Sequence, residues 1–330
     1  MAFMGVPRKR GEVVKQRVVI GEFSDSSPVL LPVATITGRR DGPTVFVQGA
    51  VHGDEVTGVA IARGVIADIK PDEISGSVVV VPVSNVPAYL TRSRGWTMEE
   101  RLAPEVNRLY PGWSGGLLSE RMAHLLFSEF IMKSDLTIDL HTALDGCDIV
   151  PFTYVLPDED DGTYDLRRRI AYGFGAPYVY RVDLVGDEDR SQMPLSIRPM
   201  SRGALGKTGK ARMTAEMGES RRVSHECVPI GIRGVRRALQ VMGILPGEPE
   251  ALKEPRPFSK VTPVHVGHGG GLHLTAKLGD EVKRGQGLGK VVDIFGDVVE
   301  ELVSPVDGFV QRIMKFGNVA TGAEAYWLAS

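Results

Sequence analysis

At 330 residues the chain exceeds the usual span of a single hydrophobic core, so one large domain with a smaller companion is the first expectation. With 42% hydrophobic and 24% charged residues it has an ordinary globular composition, and a formal net charge of -2 leaves no electrostatic footprint for nucleic acid or an anionic membrane. Two cysteines, Cys147 and Cys227, give neither a disulfide framework nor a CxxC pair, which fits a reducing cytoplasm. The opening MAFMGVPRKRGEVV lacks the apolar stretch of a secretory signal. No segment approaches the roughly 20 apolar residues needed to cross a bilayer. A cytoplasmic protein is expected, without nucleic-acid or membrane partners and with homo-oligomerisation left open.

Residues 12 to 37 read as extended segments, rich in β-branched residues and broken by Ser, Pro and Gly. Thr44 to Gly49 is a buried strand, and Val56 to Ile69 an apolar-periodic helix with Asp54 at its cap. Ser77 to Val83 is a second strand, followed by a long loop through Asn85, Arg94 and Asn107 to Gly116. A helix over Leu117 to Ile131 leads into a third strand, Leu136 to Leu140. Short strands at Phe152 to Leu156 and Arg212 to Met217 flank a helix at Leu166 to Gly173, and a last helix covers Ile232 to Met242. Apolar strands alternating with helices predict an α/β domain, a mixed sheet covered by helices.

The proline-rich, charged stretch from Pro246 to Pro257 reads as a domain linker. Beyond it, short strands punctuated by glycine about every ten residues predict a small all-β barrel or sandwich. The expected division is residues 1–250, with N-terminal β segments over 1–40, and residues 251–330.

Four polar groups follow the C-terminal ends of predicted core strands: His52, Asn85, His141 and Glu216. Ligands of open α/β sheets bind outside those ends, so the four can converge on one crevice. The run His52-Gly53-Asp54-Glu55 puts an imidazole and a carboxylate three residues apart in a strand-to-helix turn, and His141 can complete a His/Glu/His set. Three protein ligands leave one position for water, the pattern of catalytic rather than structural zinc, so one Zn2+ per subunit is expected. An H-x-x-E spacing alone is commonplace; the weight comes from HGDE, DLHT and TAEMG each ending a core strand. Glu216, at the end of an apolar strand, is costly to bury without a partner or a task. It is the preferred general base, with Glu219 the competitor and a buried ion pair the structural alternative. Arg94, Asn107 and Arg108 suit a substrate carboxylate or a developing oxyanion, although spacing leaves Arg94 and Arg108 evenly balanced against solvated loop residues. Arg92 and Arg101 read as solvated.

These pieces resemble the succinylglutamate desuccinylase/aspartoacylase family of zinc hydrolases, related to the M14 carboxypeptidases. VQGAVHGDE, VPVSNVPAYLTRSR, EVNRLYPG, TIDLHTA and TAEMGES stand in family order, and the likeness runs over about residues 40 to 330. It implies zinc on His52, Glu55 and His141, Glu216 as general base and acid, Asn107 and Arg108 on the substrate carboxylate, and Arg94 polarising the scissile carbonyl. The family often has Asp-Leu-Asn-Arg where this chain has Glu105-Val106-Asn107-Arg108, and the stretch from Arg94 to Glu105 is longer than a minimal version. The likeness leans toward bacterial deacylases, including N-acetyl-diaminobutyrate deacetylases.

The expected activity is amide hydrolysis of a small N-acyl amino acid by metal-activated water, the alternative being a zinc carboxypeptidase on peptide C-termini. Gly112-Trp113-Ser114-Gly115-Gly116 matches a nucleophile elbow, but no core strand precedes it and the HGGG at 268 to 271 falls after it, so Ser114 reads as a helix start. The hairpins around Asp280 and Asp307 resemble biotinyl/lipoyl domains, yet the turn Asp293-Ile294-Phe295-Gly296-Asp297 lacks the modifiable lysine.

Overall fold

The structure, a computed structural model, describes residues 3–99, 105–156, 162–182 and 208–330. Its first half supplies strands β1 (Glu12–Glu22), β2 (Pro28–Thr37), β3 (Arg40–Gly49), β4 (Ser75–Val81) and β5 (Leu136–His141). Helices α1 (Val56–Asp68), α2 (Val86–Thr91) and α3 (Leu118–Leu125) interleave with them. Then come β6 (Cys147–Ile149), β7 (Phe152–Val155), α4 (Tyr164–Gly173), β8 (Tyr178–Arg181), β9 (Ala211–Glu216), α5 (Cys227–Val241) and β10 (Arg256–Phe258).

Nine of these strands form one sheet in the order β1-β2-β4-β3-β5-β9-β7-β8-β10. Its centre is parallel across β4, β3, β5 and β9. Helices cover both faces of β3 and β4, whose buried runs are apolar on both, whereas β5 and β9 alternate and turn apolar residues toward α1 and α5 and polar ones to the opposite face. On one face α1 and α5 bury Ile61, Val65, Val235 and Leu239 against Val45, Val47, Ile138 and Met213. On the other, Met122, Leu126 and Phe130 pack on Phe46, Val79 and the N-terminal Phe3. β1 and β2 extend one end antiparallel, while β7 reverses direction beside β9.

The remaining strands are β11 (Val261–His265), β12 (Gly270–Leu274), β13 (Glu281–Val282), β14 (Gly287–Val292), β15 (Val298–Val303), β16 (Gly308–Met314), β17 (Asn318–Val319) and β18 (Glu324–Ala329). They make two antiparallel sheets, β11-β18-β16-β13 and β15-β14-β12-β17, closed over Val264, Leu288, Val310 and Leu328. The expected α/β domain plus all-β sandwich is the observed architecture.

Four local expectations are corrected. Asp54 does not cap α1: the cap position is Glu55, without a side-chain cap bond, and neither carboxylate oxygen of Asp54 has a partner among the described residues. Ser114 does not open α3, which starts at Leu118 where Glu120 and Glu99 accept from the Leu117 and Ser119 N–H groups. That helix leaves α geometry for a wider π turn over Leu126–Ile131. α5 begins five residues earlier than the apolar period suggests, because Pro229 falls in the first turn, where a missing N–H costs no hydrogen bond. The stretch 246–255 carries neither helix nor strand, but the expected linker ends inside the large sheet: β10 pairs with β8. In the opposite direction β6 pairs with β16.

The site is positioned by the close seating of α1 on the sheet. A Cβ on Gly58 would lie 2.6 Å from the Leu140 carbonyl oxygen, so only glycine lets the helix start approach the end of β5. Gly58→Ala is expected to cost about 1–3 kcal/mol, a drop of several degrees in the calorimetric unfolding temperature.

Candidate metal centre

β3 ends at Gly49, and the chain then turns through Ala50, whose φ of 47° is the left-handed region. This kink folds His52 and Glu55 back over the sheet before α1 begins. His141 is the last residue of β5, next to β3 in the sheet. The three side chains meet in the interior: His52 and His141 are 2% and 5% exposed and Glu55 1%. Their candidate ligand atoms all lie within 4.8 Å of one another.

Glu55 is the centre of this cluster. His52 Nδ1 is 2.7 Å from its Oε1 and His141 Nδ1 2.8 Å from its Oε2. The Thr142 N–H donates to Oε2 at 3.2 Å, and Arg94 Nη1 to Oε1 at 3.1 Å. Burial alone would raise the Glu55 carboxyl, but the two imidazoles more than offset it and hold the group well below the usual carboxylate range. Burial lowers both imidazoles and their carboxylate neighbours raise them, with the net shift upward in each case.

Each imidazole has a second carboxylate behind it. His52 Nε2 lies 3.0 Å from Glu105 Oε2, and His141 Nε2 3.1 Å from Asp139 Oδ2, though off the line of a hydrogen bond. Carboxylates on the outer nitrogens fix ring orientation and turn both Nδ1 atoms toward Glu55, to which they donate here, the second layer seen behind metal-ligating histidines. Two protons on those Nδ1 atoms and one divalent cation carry the same charge, so exchanging them leaves Glu55 equally compensated. The cluster can therefore hold a metal ion.

A cavity opens over the cluster, floored by β5 and β9 side chains that share a face by the two-residue period: Thr137, Asp139 and His141, then Arg212, Thr214 and Glu216. Glu216 stands opposite His141 in the parallel register. Tyr154 donates to its Oε1 at 3.3 Å, whereas Oε2 is sealed from solvent with no partner among the described residues. Burial, with Glu55 adding and His141 opposing, pushes the Glu216 carboxyl up to about 7.

Residues 41–242 match the model of the succinylglutamate desuccinylase/aspartoacylase catalytic domain. The chain belongs to that family. It is accordingly a hydrolase of amide bonds. Over 290 residues it is 29% identical to an N-alpha-acetyl-L-2,4-diaminobutyric acid deacetylase of Halomonas elongata, covering 86% of this chain and 79% of that protein. A crystal structure of a succinylglutamate desuccinylase/aspartoacylase from Rhodobacter sphaeroides superposes with a TM-score of 0.83 at 25% identity, over 99% of this chain and 97% of that one. The fold is also that of a product-bound ectoine utilization protein from Ruegeria pomeroyi, with a TM-score of 0.84 at 24% identity over 98% and 97% of the two chains.

In this member of the desuccinylase/aspartoacylase family, Arg94, Asn107 and Arg108 line the cavity with His52, Glu55, His141 and Glu216. Asn107 is buried and its Oδ1 has no partner among the described residues. Asn85 is not brought in: it caps α2, accepting from the Ala88 N–H at 3.2 Å, and does not line the cavity. Glu219 turns to Arg222 and Lys315 instead. Arg92 is an exposed left-handed helix end, and Arg101 lies outside the described residues. Neither Ser114 nor His268 reaches the cavity lining.

Sequence reasoning missed Glu105 and Asp139. Asp139 was accessible, since it shares the face of His141 two residues on. Glu105 is a hub: one oxygen contacts His52, Arg94 Nη2 at 2.9 Å and Arg108 Nε at 3.5 Å. Burial raises its carboxyl, but His52 and Arg94 more than offset that and hold it well below the usual range. Glu105→Ala is expected to weaken metal binding about 10–100-fold, read by competition with a chelator, with the circular dichroism spectrum unchanged.

Proposed function

We propose that the protein is a zinc-dependent deacylase that hydrolyses the amide bond of a small N-acyl amino acid. The observation that carries this reading is the buried Glu55 carboxylate set between two imidazole Nδ1 atoms, with Glu216 beside His141 in the adjoining strand. Two histidines and one carboxylate are a donor set that suits catalytic zinc. When bound there by His52, Glu55 and His141, the metal supplies an activated water and a Lewis acid for the carbonyl.

The remaining work falls to the chain's own residues. Glu216, with a carboxyl near neutrality and one unpartnered oxygen, takes the proton of the attacking water and returns it to the leaving amine. Arg94, between Glu55 and Glu105, presents a guanidinium fixed in orientation toward the charge that develops on the carbonyl oxygen. Asn107 and Arg108 anchor the substrate carboxylate, an assignment supported by their place in the lining and by the donor fork of the Arg108 guanidinium, while the spare Oδ1 of Asn107 can accept from a substrate N–H. Gln311, Arg312 and Trp327 close the far wall, which favours a small substrate over an extended peptide.

Metal analysis with a panel of N-acyl amino acids and dipeptides tests this reading. One zinc per chain and release of the acid from the N-acyl compounds are expected; full activity after metal removal, or preferential dipeptide cleavage, would sink it. Glu216→Gln should keep its metal and lose about 10²–10⁴-fold in kcat, whereas His52→Ala should lose both metal and turnover. Arg108→Ala should act chiefly on KM, by about 1.5–3 kcal/mol if it removes a charge-assisted hydrogen bond.

A further inference from the structure

The far wall of the cavity comes from β16, and its backbone there is irregular. The antiparallel register with β18 slips between Val310 and Arg312, which stand opposite Leu328 and Trp327, so Gln311 is an extra residue. Such a bulge re-aims side chains, and here both Gln311 and Arg312 line the cavity. Both are buried, at 2% and 3% exposure.

The Arg312 guanidinium is held from two directions. Its carbon lies 3.8 Å from the centre of the Trp327 ring, and Nη2 donates to Glu324, which also accepts from Trp327 Nε1 at 2.7 Å. Nε, however, has no partner among the described residues, and neither has Oε1 of Gln311. A buried donor and a buried acceptor at consecutive positions on a cavity wall each carry an unmet desolvation cost that a ligand can relieve. Arg312 also stands opposite Ile149 of β6, while Phe152 of β7 stands opposite Glu216; both apolar residues line the cavity. This wall therefore adjoins the Glu216 side, whereas Arg108 enters beside His52 through Glu105.

We propose that Arg312 and Gln311 form a substrate subsite for a neutral group that offers both an acceptor oxygen and a donor hydrogen, a carboxamide being the simplest. The proposal rests on the deacylase reading and adds a specificity element to the same site. Neutrality follows from Glu324: it already balances the Arg312 charge, so a second carboxylate would face its repulsion. The acceptor oxygen takes the Nε–H of Arg312, and the donor satisfies Gln311 Oε1. The group can stand at the end of the acyl chain or of the amino-acid side chain.

Two sets of N-acyl amino acids separate those sources on the zinc-loaded protein. One varies the end of the acyl chain and the other the end of the amino-acid side chain, each among carboxamide, carboxylate and branched alkyl. In one set the carboxamide should exceed the alkyl member in kcat/KM by on the order of tenfold, the loss expected for an unmet buried donor, with the carboxylate no better than the alkyl. Arg312→Met and Arg312→Lys should both bring that ratio to about one, the lysine variant keeping the cation beside Glu324 and Trp327 and the unfolding temperature reporting intact folding. A ratio unchanged in both variants, or a preference for carboxylate, overturns the subsite. Hydrolysis of no compound in either set overturns the deacylase reading instead, and the subsite with it.

Discussion

A carboxylate almost wholly removed from water must find its counter-charge inside the protein, and Glu55 imposes that demand at the meeting point of β3, β5 and α1. It is 1% exposed and touches two imidazoles, one guanidinium and one backbone N–H. Leaving a buried charge with a partner missing costs several kcal/mol, so none of these contacts is dispensable to the local fold. The requirement passes outward: the imidazoles need Glu105 and Asp139, and Glu105 in turn needs Arg94 and Arg108. Charge alternates in shells around one carboxylate, and a divalent cation satisfies the innermost shell as well as two protons do.

The sheet makes those shells possible at small conformational cost. Parallel strands deliver their C-terminal residues to a common edge, so His52, His141 and Glu216 arrive together from places scattered along the sequence. Register then sets the finer geometry, with Glu216 abreast of His141 and Thr214 abreast of Asp139. The wall facing them is contributed by β6, β7, β16 and β18, which makes the cavity a junction between sheets rather than a groove in one.

Much of this was readable because it depends on local pattern. The apolar runs of β3 and β4 marked the buried centre of the sheet, and polar residues at or just beyond the ends of β3, β5 and β9 marked the site edge. HGDE carried its geometry within four residues. What escaped depends on distant contacts. Asp54 reads as a helix cap by position, yet its backbone approach to α1 leaves the cap to Glu55. Asn85 ends a strand like His52 does, but spends its oxygen on the Ala88 N–H because α2 begins at once. Glu105 sits in a long loop with no periodicity to locate it, and its role appears only where His52, Arg94 and Arg108 converge. Arg312 and Gln311 were invisible for a related reason: a register slip in a strand leaves no trace in composition.

The exchange of strands between the two β regions has a mechanical side. β10 belongs by sequence to the approach to the C-terminal sandwich but is stitched into the large sheet, and β6 crosses the other way to β16. Phe258, Phe309, Phe152 and Trp327 fill the seam between them. A hinge at this seam would have to break main-chain hydrogen bonds and open an aromatic core at once. Among the described residues, the wall that the two β regions share is thus held as one piece, and its side of the cavity acts as a fixed template rather than a jaw.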